Sequence, residues 1–137
     1  MRSALRAIVS AALASVDRRP GQIGVVLTDD GEMRTLNQRW RKLDRTTDVL
    51  SFGYDPDARG TRVNGDLVVS VDRVHEQAKR FRVTPGRELA RLVIHGTLHL
   101  AGLDHQTAAE RRVMRRHEAA VLRKTAAPIA VLDRAIG

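Results

Sequence analysis

The order of hydrophobic periodicities along this chain predicts an α+β domain, a small mixed β-sheet of three to four strands packed with about five helices, one of which carries a metal site. Three observations predict it. Apolar residues recur at helical spacing in several separate segments; short runs rich in Val, Ile and Leu stand among them; and the segments follow one another as α-β-α-β-β-α-α-α. At 137 residues the chain reads as one domain spanning 1–137, long enough to bury roughly two-thirds of its unfolded surface.

Leu5, Ile8, Val9, Ala12, Leu13 and Val16 form one apolar stripe, so the first element is a helix, stopped by Arg18-Arg19-Pro20-Gly21. Residues 23–28 read as a strand. Asp29-Asp30-Gly31 turns the chain into a second helix whose core face carries Met33, Leu36 and Trp40 and whose outer face is basic. Strands at 49–52 and 67–71 follow, separated by a 13-residue turn-rich stretch, 53–65. A connection of that length in a compact domain is mobile or functional. Asp72 is placed to cap a third helix ending at Phe81, and Thr84-Pro85 opens a fourth with Thr as N-cap and Pro at the first helical position. Leu89, Leu92, Val93 and Leu98 bury this fourth helix. Thr107-x-x-Glu110 is a capping box that starts the last predicted helix, which runs to about Lys124.

The fourth helix carries the chemistry. His95 and His99, four residues apart, share one helix face and can turn ring nitrogens toward one ion. Gly102 enters left-handed backbone without steric cost and so lets the chain turn back, bringing His105 to a third vertex. Three protein ligands leave a tetrahedral zinc one open position, the layout of a catalytic rather than a structural site. The spacing H-x-x-x-H-x-x-G-x-x-H is zincin-like, but Gly96 stands where zincin proteases keep their catalytic Glu, which disfavours a protease of that type. His75 and His117 have no second ligand at the needed spacing, since Lys79 and Val121 stand there, and read as ordinary structural residues.

The composition bounds the partners. Cysteine is absent, which removes disulfides and thiolate ligands together and leaves His as the natural zinc ligand. No apolar run reaches membrane length and the first twenty positions are interrupted by charge, so the expectation is a cytoplasmic protein with no membrane partner. A net charge of +8 points to a polyanion such as nucleic acid, with a local cluster at Arg39, Arg41, Lys42 and Arg45. Twenty-one of the 24 basic residues are Arg, a bias that coding-DNA composition is able to produce by itself. With only Trp40, Phe52, Tyr54 and Phe81 as aromatics, any RNA would be held by phosphate and shape rather than by stacked bases. Arg111, Arg112, Arg115 and Arg116 read as a solvated helix face ahead of an RNA contact.

Three blocks together resemble the YbeY family of rRNA-maturation endoribonucleases: Leu36-Asn37 through Arg41 and on to Thr47-Asp48-Val49-Leu50-Ser51-Phe52; Gly65-Asp66-Leu67; and Glu88 through His105 with its H-G-x-L-H-x-x-G-x-D-H pattern. The resemblance implies a metal-dependent endoribonuclease specific for single-stranded RNA. It would act in small-subunit (16S) rRNA maturation and ribosome quality control, with the small subunit or its proteins as partners. It also implies one Zn2+ per chain on His95, His99 and His105, and gives Arg41 the position of the family's functionally important arginine. Two departures stand out. Thr46 occupies a place where the family often has Pro, and the chain opens on a helix where relatives usually carry a strand first, so the sheet is expected to be one strand short.

Several roles stay open. Attack by a metal-activated water and attack by the RNA 2′-hydroxyl both suit the residues. Arg41 is the candidate clamp on the phosphate, because its planar fork stabilises developing charge. Asp104 either orients an imidazole or caps the turn, and Asp48 and Ser51 read as turn and edge residues. Two other functions share part of the pattern: a non-catalytic metal-binding ribosome-assembly factor, and a metalloprotease of unusual mechanism.

Overall fold

The computed structural model describes residues 1–41, 48–54, 60–103 and 105–137, the side chains of Trp40 and Arg41 excepted. The described residues form α1 (Arg2–Ala14), β1 (Arg19–Thr28), α2 (Asp30–Arg41), β2 (Val49–Gly53), β3 (Arg62–Ser70), α3 (Val71–Phe81), α4 (Pro85–Leu100), α5 (Ala108–Lys124) and α6 (Ala126–Ile136). The predicted α+β order holds, with one helix more than expected.

β3 is the centre of a three-stranded mixed sheet of order β1-β3-β2. β1 runs parallel to it and β2 antiparallel, with Val26 opposite Val68 on one side and Leu50 opposite Val68 on the other. Side chains alternate across a strand, so β3 feeds two cores. Val63, Leu67 and Val69 join the large core built by α1 and α4, whereas Val68 joins Met33 of α2 and Leu50 of β2 in a smaller one.

α4 runs through the middle, against α1, α3, α5, α6 and strands β2 and β3. Leu89, Val93, Ile94 and Leu98 are fully buried. Each such side chain contributes about 1.5–3 kcal/mol of burial free energy, which makes this helix a rigid platform. Its start is as predicted: Thr84 caps it, accepting from the Arg87 N–H at 3.2 Å, with Pro85 next. The capping box at Thr107 and Glu110 forms reciprocally and opens α5.

Four boundaries differ from the expectation. β1 begins at Arg19 rather than at 23: on an edge strand Pro20 forfeits no ladder bond, and the register irregularity between Pro20 and Ile23 absorbs Gly21. β3 begins at Arg62, so the stretch 53–65 is part strand and the connection is correspondingly shorter. Ser70 rather than Asp72 caps α3, its hydroxyl accepting from the Arg73 N–H. The Asp72 carboxylate accepts instead from the Asp30 N–H at 3.0 Å, at the start of α2. The unforeseen α6 holds Pro128 in its first turn, where a missing N–H breaks no helical bond. It packs Ile129 and Leu132 into the main core, and Asp133 accepts from the Gly86 N–H at 2.7 Å, tying α6 to the start of α4.

Candidate functional site

His95 and His99 occupy the last two turns of α4, and His105 lies in the loop before α5. Gly102 ends the helix at φ +102°, a conformation open to glycine, while the N–H of Leu103 reaches the carbonyl of Leu98. This turn folds the chain back as expected. The His105 ring centroid stands 5.1 Å from that of His95 and 5.5 Å from that of His99, both edge to face. Arg111 of α5 secures the loop, its guanidinium donating to the carbonyls of Gln106 at 2.9 Å and His105 at 3.4 Å. His99 and His105 are exposed and His95 is half-buried, so the cluster opens to solvent.

Two of the imidazoles are held by Nδ1. That of His95 lies 2.9 Å from Oε2 of Glu118 on α5, and that of His99 lies 3.1 Å from the carbonyl oxygen of Leu103. Both partners accept, so in a neutral ring each Nδ1 carries the proton and Nε2 is the nitrogen left for a metal. Glu118 belongs to a wider network. Arg91, one turn before His95 on α4, places its Nη1 3.8 Å from Oε1 of Glu118 and forks onto Glu88 at 2.9 and 2.7 Å. It also donates to Gln77 of α3 at 3.2 Å. The hydrogen bonds to Glu88 push the Arg91 guanidinium above its ordinary value, against the opposing effect of burial and with help from the charges of Glu88, Glu118 and Asp48.

The packing of α4 accounts for glycine rather than glutamate at position 96. A β-carbon at 96 would sit 2.8 Å from the Leu67 side chain and 3.2 Å from both Ser51 Oγ and Val49 Cγ2. The helix crosses β2 and β3 so closely there that a side chain would have to displace Leu67, and the Ser51 hydroxyl donates to the Gly96 carbonyl at 3.4 Å.

The donor set suits zinc in kind and in spacing. With Zn–N near 2.0–2.1 Å, two imidazoles on one tetrahedral ion have centroids about 5 Å apart. Among the described residues, however, no group of three His, Asp or Glu side chains is gathered as a finished metal cage. The ring spacing carries more weight than this lack of a common focus. A zinc ion returns ~10 kcal/mol or more on binding, enough to draw the His105 ring to a focus with the two rings already oriented.

Other candidates fall variously. Arg41 ends α2, with its side chain outside the described residues, as are Lys42, Arg45, Thr46 and Asp104. Met33 is buried as predicted and Leu36 only partly, and Asn37 is buried beside them. Arg111, Arg112, Arg115 and Arg116 are all exposed. His117 joins Ser15 at 3.2 Å, away from the cluster. Asp48 pairs with Arg73 at 3.2 Å. Glu118 was missed, since no spacing in the sequence links it to His95. Among the described residues no helix is long and apolar enough to cross a membrane.

Comparison with known proteins identifies the family. Residues 1–126 match the family described as Endoribonuclease YbeY. The chain is 39% identical over 119 residues to the protein of that name from Anaeromyxobacter dehalogenans, and 40% identical over 119 residues to that of another Anaeromyxobacter strain. Each match takes in 87% of this chain but 62% of the relative, so the chain spans under two-thirds of the length of these two relatives. A solution structure of a Thermotoga maritima protein is similar at a TM-score of 0.62 and 31% identity, over 90% of this chain and 77% of that one. The chain belongs to the YbeY endoribonuclease family.

Proposed function

We propose that this protein is a zinc-dependent endoribonuclease that cuts single-stranded RNA, acting in the cytoplasm in small-subunit (16S) rRNA maturation and ribosome quality control, with the small subunit or its proteins as partners. Family membership supports the reaction class. The observation that carries the metal reading is the pairing of His95 Nδ1 with Glu118 and of His99 Nδ1 with the Leu103 carbonyl, beside the ring of His105.

His95, His99 and His105 would hold the ion. When bound, zinc supplies Lewis-acid stabilisation of negative charge at a scissile phosphate. The chain's own residues do the rest. Glu118 and the Leu103 carbonyl orient two rings, Arg111 holds the loop that presents the third, and Gly96 lets α4 lie close against β2 and β3. Arg41 is assigned the phosphate clamp, in which an always-charged fork meets the phosphate oxygens. The net charge of +8 attracts RNA through its phosphates, and that attraction weakens steeply as salt rises.

Metal analysis by native mass spectrometry, joined to cleavage of single-stranded and duplex RNA with and without chelator, tests the reading. The expected result is one zinc per chain, cleavage of the single strand, and loss of both in His99→Ala. Full zinc occupancy in His99→Ala, or undiminished cleavage after chelation, overturns it.

A further inference from the structure

We propose that Glu118, paired with Arg91, is the positioning residue for His95 and thereby sets the affinity of the site for its metal. The proposal deepens the zinc reading above and rests on it.

A carboxylate only accepts hydrogen bonds. With Oε2 of Glu118 at 2.9 Å from Nδ1, the neutral His95 ring must keep its proton there and present Nε2 as lone-pair donor. Without this partner an imidazole is free to take the other tautomer and to rotate about χ2. Glu118 is itself well held. Its side chain is 9% exposed, and its other oxygen faces Nη1 of Arg91 at 3.8 Å. Arg91 and His95 are four residues apart on α4 and so lie one above the other on a single helix face, which lets one carboxylate from α5 reach both.

Arg91 is fixed from the far side. Glu88, with a side chain only 1% exposed, takes both arms of the guanidinium fork, and Gln77 of α3 accepts from it as well. Glu118 therefore faces a cation held in place by residues of two other helices, α3 and α4. Two carboxylates against one guanidinium also leave a formal negative charge beside His95, which a divalent ion balances. A fold-holding ion pair would need Arg91 and Glu118 alone; the short bond from Glu118 to the His95 ring has its use at the site.

The test compares wild type with Glu118→Ala and the near-isosteric Glu118→Gln. In the zinc-free proteins at about pH 8.5, 15N NMR reads the His95 tautomer; chelator competition reads zinc affinity; thermal unfolding reports the fold. Wild type should show the Nδ1–H tautomer. Glu118→Ala should lose it and bind zinc about 10- to 100-fold more weakly. Glu118→Gln still accepts from Nδ1 but lacks the charge, so it should keep the tautomer and lose affinity by about five-fold or more. If Glu118→Ala fails to fold, Glu118→Gln decides: zinc affinity equal to wild type overturns the proposal. A folded Glu118→Ala with unchanged tautomer and affinity overturns it equally. Should wild type bind no zinc, the function proposed above fails, and the tautomer alone then decides whether Glu118 positions His95.

Discussion

The Nδ1 of His95 and the Oε2 of Glu118 meet at 2.9 Å across 23 positions of sequence and two helices. The ring is thereby fixed by α5 as well as by the helix that carries it, while Gly96, next to it on α4, lies against the sheet.

That close crossing makes Gly96→Ala destabilising. The new β-carbon would press on Leu67 at 2.8 Å. Overpacking of this kind costs about 1–3 kcal/mol, offset by about 1 kcal/mol from the better helix propensity of Ala. The expected net loss is up to roughly 2 kcal/mol, read as a lower urea midpoint, and Gly96→Glu should fail to fold. A Gly96→Ala protein more stable than wild type would show that α4 has room to move off the strands.

Glu88→Gln should cost about 1–3 kcal/mol in the same measurement, because the Arg91 fork loses its charged acceptor in a buried setting. The lower part of the range is favoured, since the Arg91 side chain is 31% exposed and water compensates it in part. No change in midpoint would mean that Gln77 and Glu118 alone hold Arg91.

Tyr54, the only tyrosine, donates its hydroxyl to Asp66, and that hydrogen bond, with smaller contributions from burial and from the carboxylate charge, pushes the phenol above its ordinary value of 10.0. The neutral form is the one the fold favours. The stability this contact contributes is therefore fully present below the ordinary value and is lost as pH rises through the raised one. Ultraviolet titration should give a midpoint above that of free tyrosine, returning toward it in Asp66→Asn; equal midpoints would remove the contact.

Arg41→Lys separates clamp from attraction. If the guanidinium fork grips the phosphate in the transition state, single-turnover cleavage at saturating RNA should fall at least ten-fold, about 1.4 kcal/mol, with zinc content unchanged. Equal rates at saturation would assign Arg41 to RNA capture alone.

What the sequence by itself determined lies within a turn or two of chain. Thr84-Pro85 and the Thr107–Glu110 box start helices through hydrogen bonds that span three residues, and His95, His99 and Gly102 declare their purpose through helical spacing and one left-handed turn. The strands and the order of elements were legible for the same reason, since each rests on a local hydrophobic period. Tertiary structure alone decided what depends on distant partners. Arg19 and Pro20 become strand because Arg62 and Val63 lie beside them, 43 positions on. Ser70 displaces Asp72 as a cap because Asp72 is drawn to Asp30. The α6 stripe finds its place only against α4, and Glu118 reaches His95 only once α5 has packed. Contacts closed across tens of residues leave no periodic trace in a sequence, because nothing local selects the partner until the core has brought it near.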